Sequence, residues 1–259
     1  MNIRKDSGPL KWILIGISVL FLFVMLILPL SYVMYTAFSK GIKVFLAAVT
    51  DKYALHSIKL TIEVSLIAVV CNTFFGIFAS WLITKFQFKG KKIISTLIDL
   101  PLTVSPIIAG LIYVLTFGRQ SFIYPYLKAM GIRIIFAVPG IVLATIFVTF
   151  PFISRELIPV LTSQGTDEEE AAALMGANGW TIFWKVTFPH IKWPLLYGIV
   201  LCTARAMGEF GAVSVLSGHL RGRTNTMPLY IELLYQGYDF TGAFAVCLLY
   251  TSDAADDSL

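Results

Sequence analysis

The chain has 259 residues, of which 57% are hydrophobic and 14% are charged, and its formal net charge is +5. A soluble globular domain carries about 25% charged residues. The low charge content, with a mean hydropathy of +0.80, excludes a soluble protein and predicts one that is integral to a membrane. Lys and Arg are scattered over the connections between apolar runs. Scattered cations of this kind give no argument for nucleic acid as a partner. The hydrophobic composition instead predicts contact with membrane lipid.

Apolar runs long enough to cross a bilayer recur along the chain. A helix needs about 20 apolar residues to cross about 30 Å of hydrocarbon. The sequence predicts five complete spans and the beginning of a sixth, at about residues 12–38, 60–84, 93–117, 134–153, 193–216 and 240–246. The predicted fold class is therefore an all-α polytopic membrane protein, with residues 1–246 as one transmembrane domain.

The connections between spans orient the chain. Lys85, Lys89, Lys91 and Lys92 form the one dense basic cluster, and such clusters favour the cytoplasmic side. Counted over all connections, ten Lys or Arg fall on one side and nine on the other, which decides nothing. From the cluster we predict a cytoplasmic N-terminus.

The connection between the fourth and fifth spans contains a short amphipathic stretch. Thr166 and Glu169 have the spacing of a capping box, in which each side chain bonds the backbone amide of the other. The acids that open this helix suit the positive end of its dipole, and Gly176 is a natural left-handed stop. A second short helix is predicted from Trp180 to about Thr187, with Pro189 ending it.

This stretch resembles the EAA motif of ABC-importer permeases. That motif reads EAA, three residues, Gly, nine residues, Ile, one residue, Leu-Pro, and Val186 and Phe188 stand where the family usually has Ile and Leu. The resemblance implies that the stretch is cytoplasmic and docks on a separate ATPase. The residues that would carry this coupling are Glu170, Ala171, Ala172, Gly176, Val186, Phe188 and Pro189.

Arg205 and Glu209 place two charges near the middle of the fifth predicted span. They are four residues apart, so they share one helix face and can pair. A charge in a span costs about 2.5 to 3.5 kcal/mol on insertion scales, so such residues face a bundle interior or a water-filled path. Two interpretations stay open: a pair that locks helix packing, or a pair that lines the path of a solute.

The sequence from Arg205 to Phe240 resembles the fifth-span and outer-loop signature of sulfate/thiosulfate permeases, most closely the W-type (CysW-like) subunits. Gly208–Gly211 and Arg221–Leu229 are the most specific parts. The resemblance implies a type I ABC-importer permease fold with six transmembrane helices, and import of sulfate or thiosulfate. Molybdate permeases are near relatives, so molybdate, tungstate or another oxyanion is the alternative cargo.

The same resemblance implies a set of partners for a non-catalytic subunit in the bacterial inner membrane. A second permease chain, of the T-type, would complete the pore, and a periplasmic sulfate-binding protein would deliver the anion. Two separate ATPase subunits would bind ATP, so no cofactor is expected in this chain.

Residues that could support another class of activity are sparse. No G-x-x-x-x-G-K-[ST] phosphate loop occurs, so we expect no ATP hydrolysis by this chain alone. His56, His190 and His219 are far apart in sequence, and no metal-ligand cluster is evident. Asp99 and Glu63 are isolated acids, which disfavours a membrane-embedded enzyme. A channel or secondary transporter, which needs no coupling helix, is a further alternative.

The end of the chain differs from the rest. Acidic residues between Ser252 and Leu259 close the sixth apolar run after about ten residues, too few to cross a membrane. The string Cys247–Asp257 resembles one reading frame of a transposase-end sequencing adaptor. We therefore expect residues 247–259 to be a non-native tail, with an unusual natural terminus as the alternative.

Overall fold

The computed structural model describes residues 9–256, and they contain helices and no strand, which confirms the all-α fold class. Two π-helical turns, Phe23–Ile27 and Phe183–Thr187, interrupt the α-helices. The α-helices are α1 (Pro9–Leu22), α2 (Leu28–Phe38), α3 (Ile42–Val49), α4 (Lys52–Lys85), α5 (Lys91–Thr103), α6 (Pro106–Phe117), α7 (Tyr124–Ala129), α8 (Val138–Gln164), α9 (Asp167–Leu174), α10 (Gly179–Ile182), α11 (Phe188–Met207), α12 (Gly211–Ser217), α13 (Met227–Gln236) and α14 (Phe240–Asp256).

The chain divides into two compact units. The smaller contains the residues up to Asp51 together with Ile231–Thr251, and the larger contains Lys52–Tyr230. In the smaller unit, α1, the first π turn and α2 form one apolar helix over Lys11–Phe38, with a mean hydropathy of 3.0. Its side chains are almost all exposed, as expected for a helix that is apolar on every face and meets lipid.

Helices α4 and α8 run parallel to each other and form the centre of the larger unit. Asn72 in α4 donates to the Thr149 hydroxyl in α8 at 2.7 Å. At the last residue of α4, Lys85 Nζ donates to the carbonyl of Gly165, directly after α8. The contacts advance in the same direction along both helices, so the C-terminal ends of α4 and α8 lie on the same side of the membrane.

Helix α11 packs antiparallel against this pair. The Cys202 thiol lies 3.7 Å from the Thr149 carbonyl. A Cβ on Gly198 would lie 3.2 Å from the Ile153 Cα, so the glycine lets the two backbones approach closely. The apolar core that these three helices share consists of Val69, Ile153, Leu157, Leu161, Ile191, Leu195 and Cys202.

The predicted third span, residues 93–117, is two helices in the structure. Helices α5 and α6 meet at an angle of 109°. Ser105 is extended because Pro106 follows it, and a residue before proline avoids the helical region. Since α4 and α8 are parallel, the chain between them must return across the membrane, and α5 with α6 therefore makes one broken crossing.

The fifth span also differs from its prediction, residues 193–216. The helix begins earlier, at Gly179, and bends by 48° between Met207 and Gly211. The prediction that Pro189 ends a helix is wrong, because Pro189 lies in the first turn of α11 and the helix continues through the π turn before it. The π turn directly before Pro189, in which the Phe188 N–H donates to the Phe183 carbonyl, lets the continuous helix accommodate a residue that has no N–H.

The other spans keep their predicted places with longer helices. Helix α8 extends the predicted span of residues 134–153 as far as Gln164, and α4 begins eight residues before the predicted residue 60. Helix α14 continues to Asp256, past the acids that were expected to close it. Residues 257–259 lie outside the described residues, and the suspected foreign origin of residues 247–259 stays a prediction.

Candidate functional site

Helix α9 carries the acid-alanine stretch and ends in the predicted glycine stop. Gly176 has a φ of +85°. Its N–H donates to the Ala173 carbonyl at 3.0 Å, and the Ala177 N–H donates to the Ala172 carbonyl at 3.1 Å. These two bonds form a Schellman motif. A Cβ on Gly176 would have nothing within 4 Å, so backbone conformation, rather than space, requires glycine here.

The predicted capping box at the other end of α9 is wrong. Thr166 is the N-cap residue, but its side chain makes no capping hydrogen bond. The Glu169 carboxylate points elsewhere: its Oε1 lies 3.0 Å from Lys85 Nζ and accepts from the Thr187 hydroxyl at 2.6 Å. An ionic partner and a buried hydroxyl bind this oxygen, so the carboxylate does not return to the Thr166 amide.

A second acid in the first turn of α9 also contacts α11. Glu168 Oε2 lies 2.9 Å from His190 Nε2, and both side chains are about half exposed. An exposed pair of this kind contributes little stability. It nevertheless shows that the first turn of α9 faces the start of α11 with two consecutive acids.

The far end of α9 presents apolar side chains to the outside of the larger unit. Leu174 is 89% exposed and Met175 is 82% exposed. Glu170 and Ala171 are also exposed, while Ala172 is buried against the chain. The helix is therefore fixed at its first turn and uncovered at its last, which is the arrangement of a surface that a partner could cover.

The second half of the stretch that resembles the EAA motif, with Val186, Phe188 and Pro189, lies inside the helix that leads into the fifth span. Phe188 packs against the core shared by α4, α8 and α11, and its ring centroid is 5.0 Å from that of Trp184. Val186 is half-buried and Pro189 is exposed. Apolar residues at these positions anchor the start of α11.

Arg205 and Glu209 form the predicted ion pair, with Arg205 Nη1 2.6 Å from Glu209 Oε2. Glu209 follows the end of α11, and its other oxygen accepts from the Ala212 N–H at 2.8 Å, in the first turn of α12. The Glu209 side chain is 1% exposed and that of Arg205 is 32% exposed. The carboxylate therefore holds the bend between the two helices.

A small cavity of about 10 Å³ adjoins Glu209. It has room for about one water molecule. Ser65 and Thr226 contribute buried hydroxyl oxygens that have no protein partner. The residues that line the cavity are Thr61, Val64, Ser65, Thr145, Ala206, Met207, Glu209, Val213 and Thr226.

Comparison with known proteins identifies the family to which this helical chain is similar. The sequence profile of the family described as "Binding-protein-dependent transport system inner membrane component" matches residues 72–252. The sulfate transport system permease protein CysW of Escherichia coli (strain K12) is 49% identical over 251 residues, covering 96% of this chain and 86% of the relative.

The chain belongs to this family of inner membrane transport components, among the CysW-like permeases. The CysW protein of Synechococcus elongatus is 47% identical over 248 residues, covering 96% of this permease and 87% of the relative. A crystal structure of a bacterial alginate ABC transporter in complex with alginate pentasaccharide-bound periplasmic protein has the same fold. Its TM-score is 0.81 at 18% identity, over 96% of this permease and 91% of that chain.

The Arg221–Leu229 run of this permease is largely buried. Thr224, Asn225, Thr226 and Met227 are each at most 4% exposed. The Thr224 hydroxyl donates to the Ser217 carbonyl at 2.7 Å, so the run is tied back to the end of α12. The residues that suggested the cargo in sequence therefore build the fold around α12 and α13.

Two acids that looked isolated in sequence have partners. Asp99 in α5 lies 3.2 Å from Arg155 in α8, and Glu63 lies 3.7 Å from Lys59 within α4. The i, i+4 spacing of Lys59 and Glu63 could have revealed their pair. No sequence signal joins Asp99 to Arg155, or Lys85 to Glu169. Among the described residues, no group of three or more His, Cys, Asp or Glu is placed to hold a metal.

Proposed function

We propose that this permease is the membrane-spanning subunit of an ATP-driven ABC importer for sulfate/thiosulfate, and that α9 couples it to a separate ATPase. The names of the CysW relatives support the cargo. One observation carries the coupling role: Glu169 ties α9 to α4 and to the π turn that leads into α11, while Leu174 and Met175 at the other end of α9 are uncovered. ATP is bound by the ATPase subunits, and this chain takes no cofactor.

The coupling helix faces the cytoplasm in this proposal. Lys85 binds the carbonyl of Gly165, so the loop before α9 lies on the same side as the basic cluster that begins at Lys85. Basic clusters favour the cytoplasmic side. One predicted crossing precedes α4, which places the N-terminus on that side as well. A reporter fused after Lys89 should read as cytoplasmic, and a periplasmic signal would reverse the topology.

The proposed division of labour is supported by the family to which the chain belongs and by the exposed end of α9. A second permease chain of the T-type completes the pathway, two ATPase subunits bind ATP, and a periplasmic sulfate-binding protein delivers the anion. Each ATPase receives one coupling helix, with the exposed Glu170, Ala171, Leu174 and Met175 at the contact. ATP-driven closure of the ATPase pair then moves packed units around the pathway as rigid bodies.

The coupling contact is tested by replacing both exposed apolar residues, Leu174→Ser with Met175→Ser. Because neither side chain supports the fold, we expect normal membrane insertion and a loss of the ATPase from the purified complex. Leu220→Ser is the matched control, since Leu220 is also an exposed apolar residue and lies outside the coupling stretch. Full retention of the ATPase by the double variant would refute the contact, and uptake without any ATPase would favour a channel.

The cargo is tested separately, with the complete complex and its binding protein in proteoliposomes. We expect uptake of labelled sulfate that unlabelled thiosulfate inhibits. Molybdate or tungstate uptake with no sulfate uptake would replace the proposed cargo and leave the coupling role intact. Replacing the sulfate-binding protein with a molybdate-binding protein in the same assay shows whether the permease itself discriminates between the two anions.

Arg205 and Glu209 line the substrate pathway in this proposal, with unequal roles. Arg205 is about a third exposed and guides the dianion, while the buried Glu209 orients Arg205. We expect Arg205→Gln to lower sulfate uptake at unchanged expression, and Arg205→Lys to retain more of it because the charge remains. Unchanged uptake in Arg205→Gln would leave the packing role alone.

A further inference from the structure

Lys85 is an unusually buried lysine, with a side chain only 6% exposed. It is the last residue of α4 and belongs to no part of the motif-like stretch. A cation suits the C-terminal end of a helix, but burial of an ammonium group requires close partners. Lys85 has two of them, the Glu169 carboxylate and the Gly165 carbonyl.

Three helical elements meet at one oxygen atom of Glu169. Lys85 reaches it from the end of α4, and Thr187 reaches it from the π turn that leads into α11. Thr187 is 1% exposed, so its hydroxyl is enclosed together with the ion pair. Glu169 itself belongs to α9, and its side chain is 16% exposed.

We propose that Lys85, Glu169 and Thr187 form the mechanical joint that transmits motion between α9 and the transmembrane helices α4 and α11. Removing one partner of a buried ion pair leaves the other charge uncompensated, so such a pair resists separation. A displacement of α9 therefore displaces the ends of α4 and α11 instead of tilting α9 alone. These are positioning residues, and the inference rests on the proposed coupling role of α9.

The chain supplies a matched ion pair that should not transmit anything. Lys59 and Glu63 also belong to α4, but their side chains are 75% and 54% exposed and their atoms are 3.7 Å apart. Both residues lie on the same helix, so their pair joins no two elements. Lys59→Met removes the same kind of charge as Lys85→Met and controls for the loss of a lysine in α4.

The test measures sulfate transported per ATP hydrolysed, by the complete complex in proteoliposomes. For Lys85→Met and Glu169→Gln we expect this ratio to fall about tenfold or more, because a joint that loses one buried charge no longer holds. Thr187→Val, which removes one hydrogen bond and keeps the ion pair, should lower the ratio about two- to fivefold. Lys59→Met should leave it unchanged.

A purely structural role would reduce the amount of complex recovered without changing the ratio, and that outcome overturns the proposal. If Lys85→Met does not assemble, the charge exchange Lys85→Glu with Glu169→Lys decides, because it should restore assembly and part of the ratio. A wild-type ratio in Glu169→Gln and Thr187→Val also overturns the joint. The coupling role fails differently, by ATPase retention in the Leu174→Ser, Met175→Ser variant.

Discussion

The α9 region and the Arg221–Leu229 run both resemble sequences of ABC-importer permeases, but they differ in how far they are exposed. The α9 region leaves Leu174 and Met175 almost fully exposed, whereas Asn225 and Met227 in the Arg221–Leu229 run are buried. Both stretches are distinctive in sequence. Exposure distinguishes the two stretches, since exposed apolar side chains are available to a partner, whereas buried side chains contact the chain itself. The comparison teaches that Thr224 and Met227 of this run build the fold, whereas the buried side chains of Asn225 and Thr226 have polar atoms without a hydrogen-bond partner among the described residues.

The largest effect is expected from disrupting the turn at Gly176, at the exposed end of α9. Gly176 has a φ of +85°, which proline cannot adopt because its ring fixes φ near −65°. We expect Gly176→Pro to abolish sulfate uptake while ATP hydrolysis and membrane insertion continue. Gly179→Ala is the control, because Gly179 also has open space around it and no positive φ. Normal uptake in Gly176→Pro would remove the turn from the coupling mechanism.

An intermediate effect is expected from removing a hydrogen-bond acceptor of the buried Arg221–Leu229 run. The Thr61 hydroxyl accepts from the Met227 N–H at 2.8 Å and is 3% exposed. In Thr61→Val this N–H loses its acceptor, which we expect to cost about 1–3 kcal/mol of stability. Thermal unfolding in detergent measures it, with the exposed Thr162→Val as control. Equal stability of the two variants would contradict a packing role for the run.

The smallest expected effect concerns an exposed member of the buried run. The Arg221 guanidinium lies 5.5 Å from the centre of the Tyr53 ring, and an exposed cation–π contact contributes about 0.5–1 kcal/mol. Arg221→Gln should therefore lower the unfolding midpoint less than Thr61→Val and leave uptake unchanged. A large loss of uptake would show that the run contributes to the pathway after all, and would weaken the comparison.

Sequence alone predicted the apolar spans, because a helix that crosses the hydrocarbon needs about 20 apolar residues in a row. It also predicted the Gly176 stop and the Arg205–Glu209 pair, which depend on residues close in the chain. It missed the 109° bend at Pro106. Pro101 lies inside α5 without ending it, so a proline in the sequence does not show by itself whether the helix bends there. It also missed Lys85 with Glu169, which are 84 positions apart and meet only through tertiary structure.

The π turn at Phe183–Thr187 fixes a rotational phase. Each residue of an α-helix advances the side-chain direction by about 100°, and a π turn accommodates one residue more than an α-helical turn does. Deleting one residue there would convert the π turn into an α turn and keep the direction of Trp180, whereas deleting a second residue would turn Trp180 about 100° around the axis of α11. Helix α9 could not follow, because Glu169 is held by Lys85 from another helix. The nine residues between Gly176 and Val186 thus set an angle as well as a length.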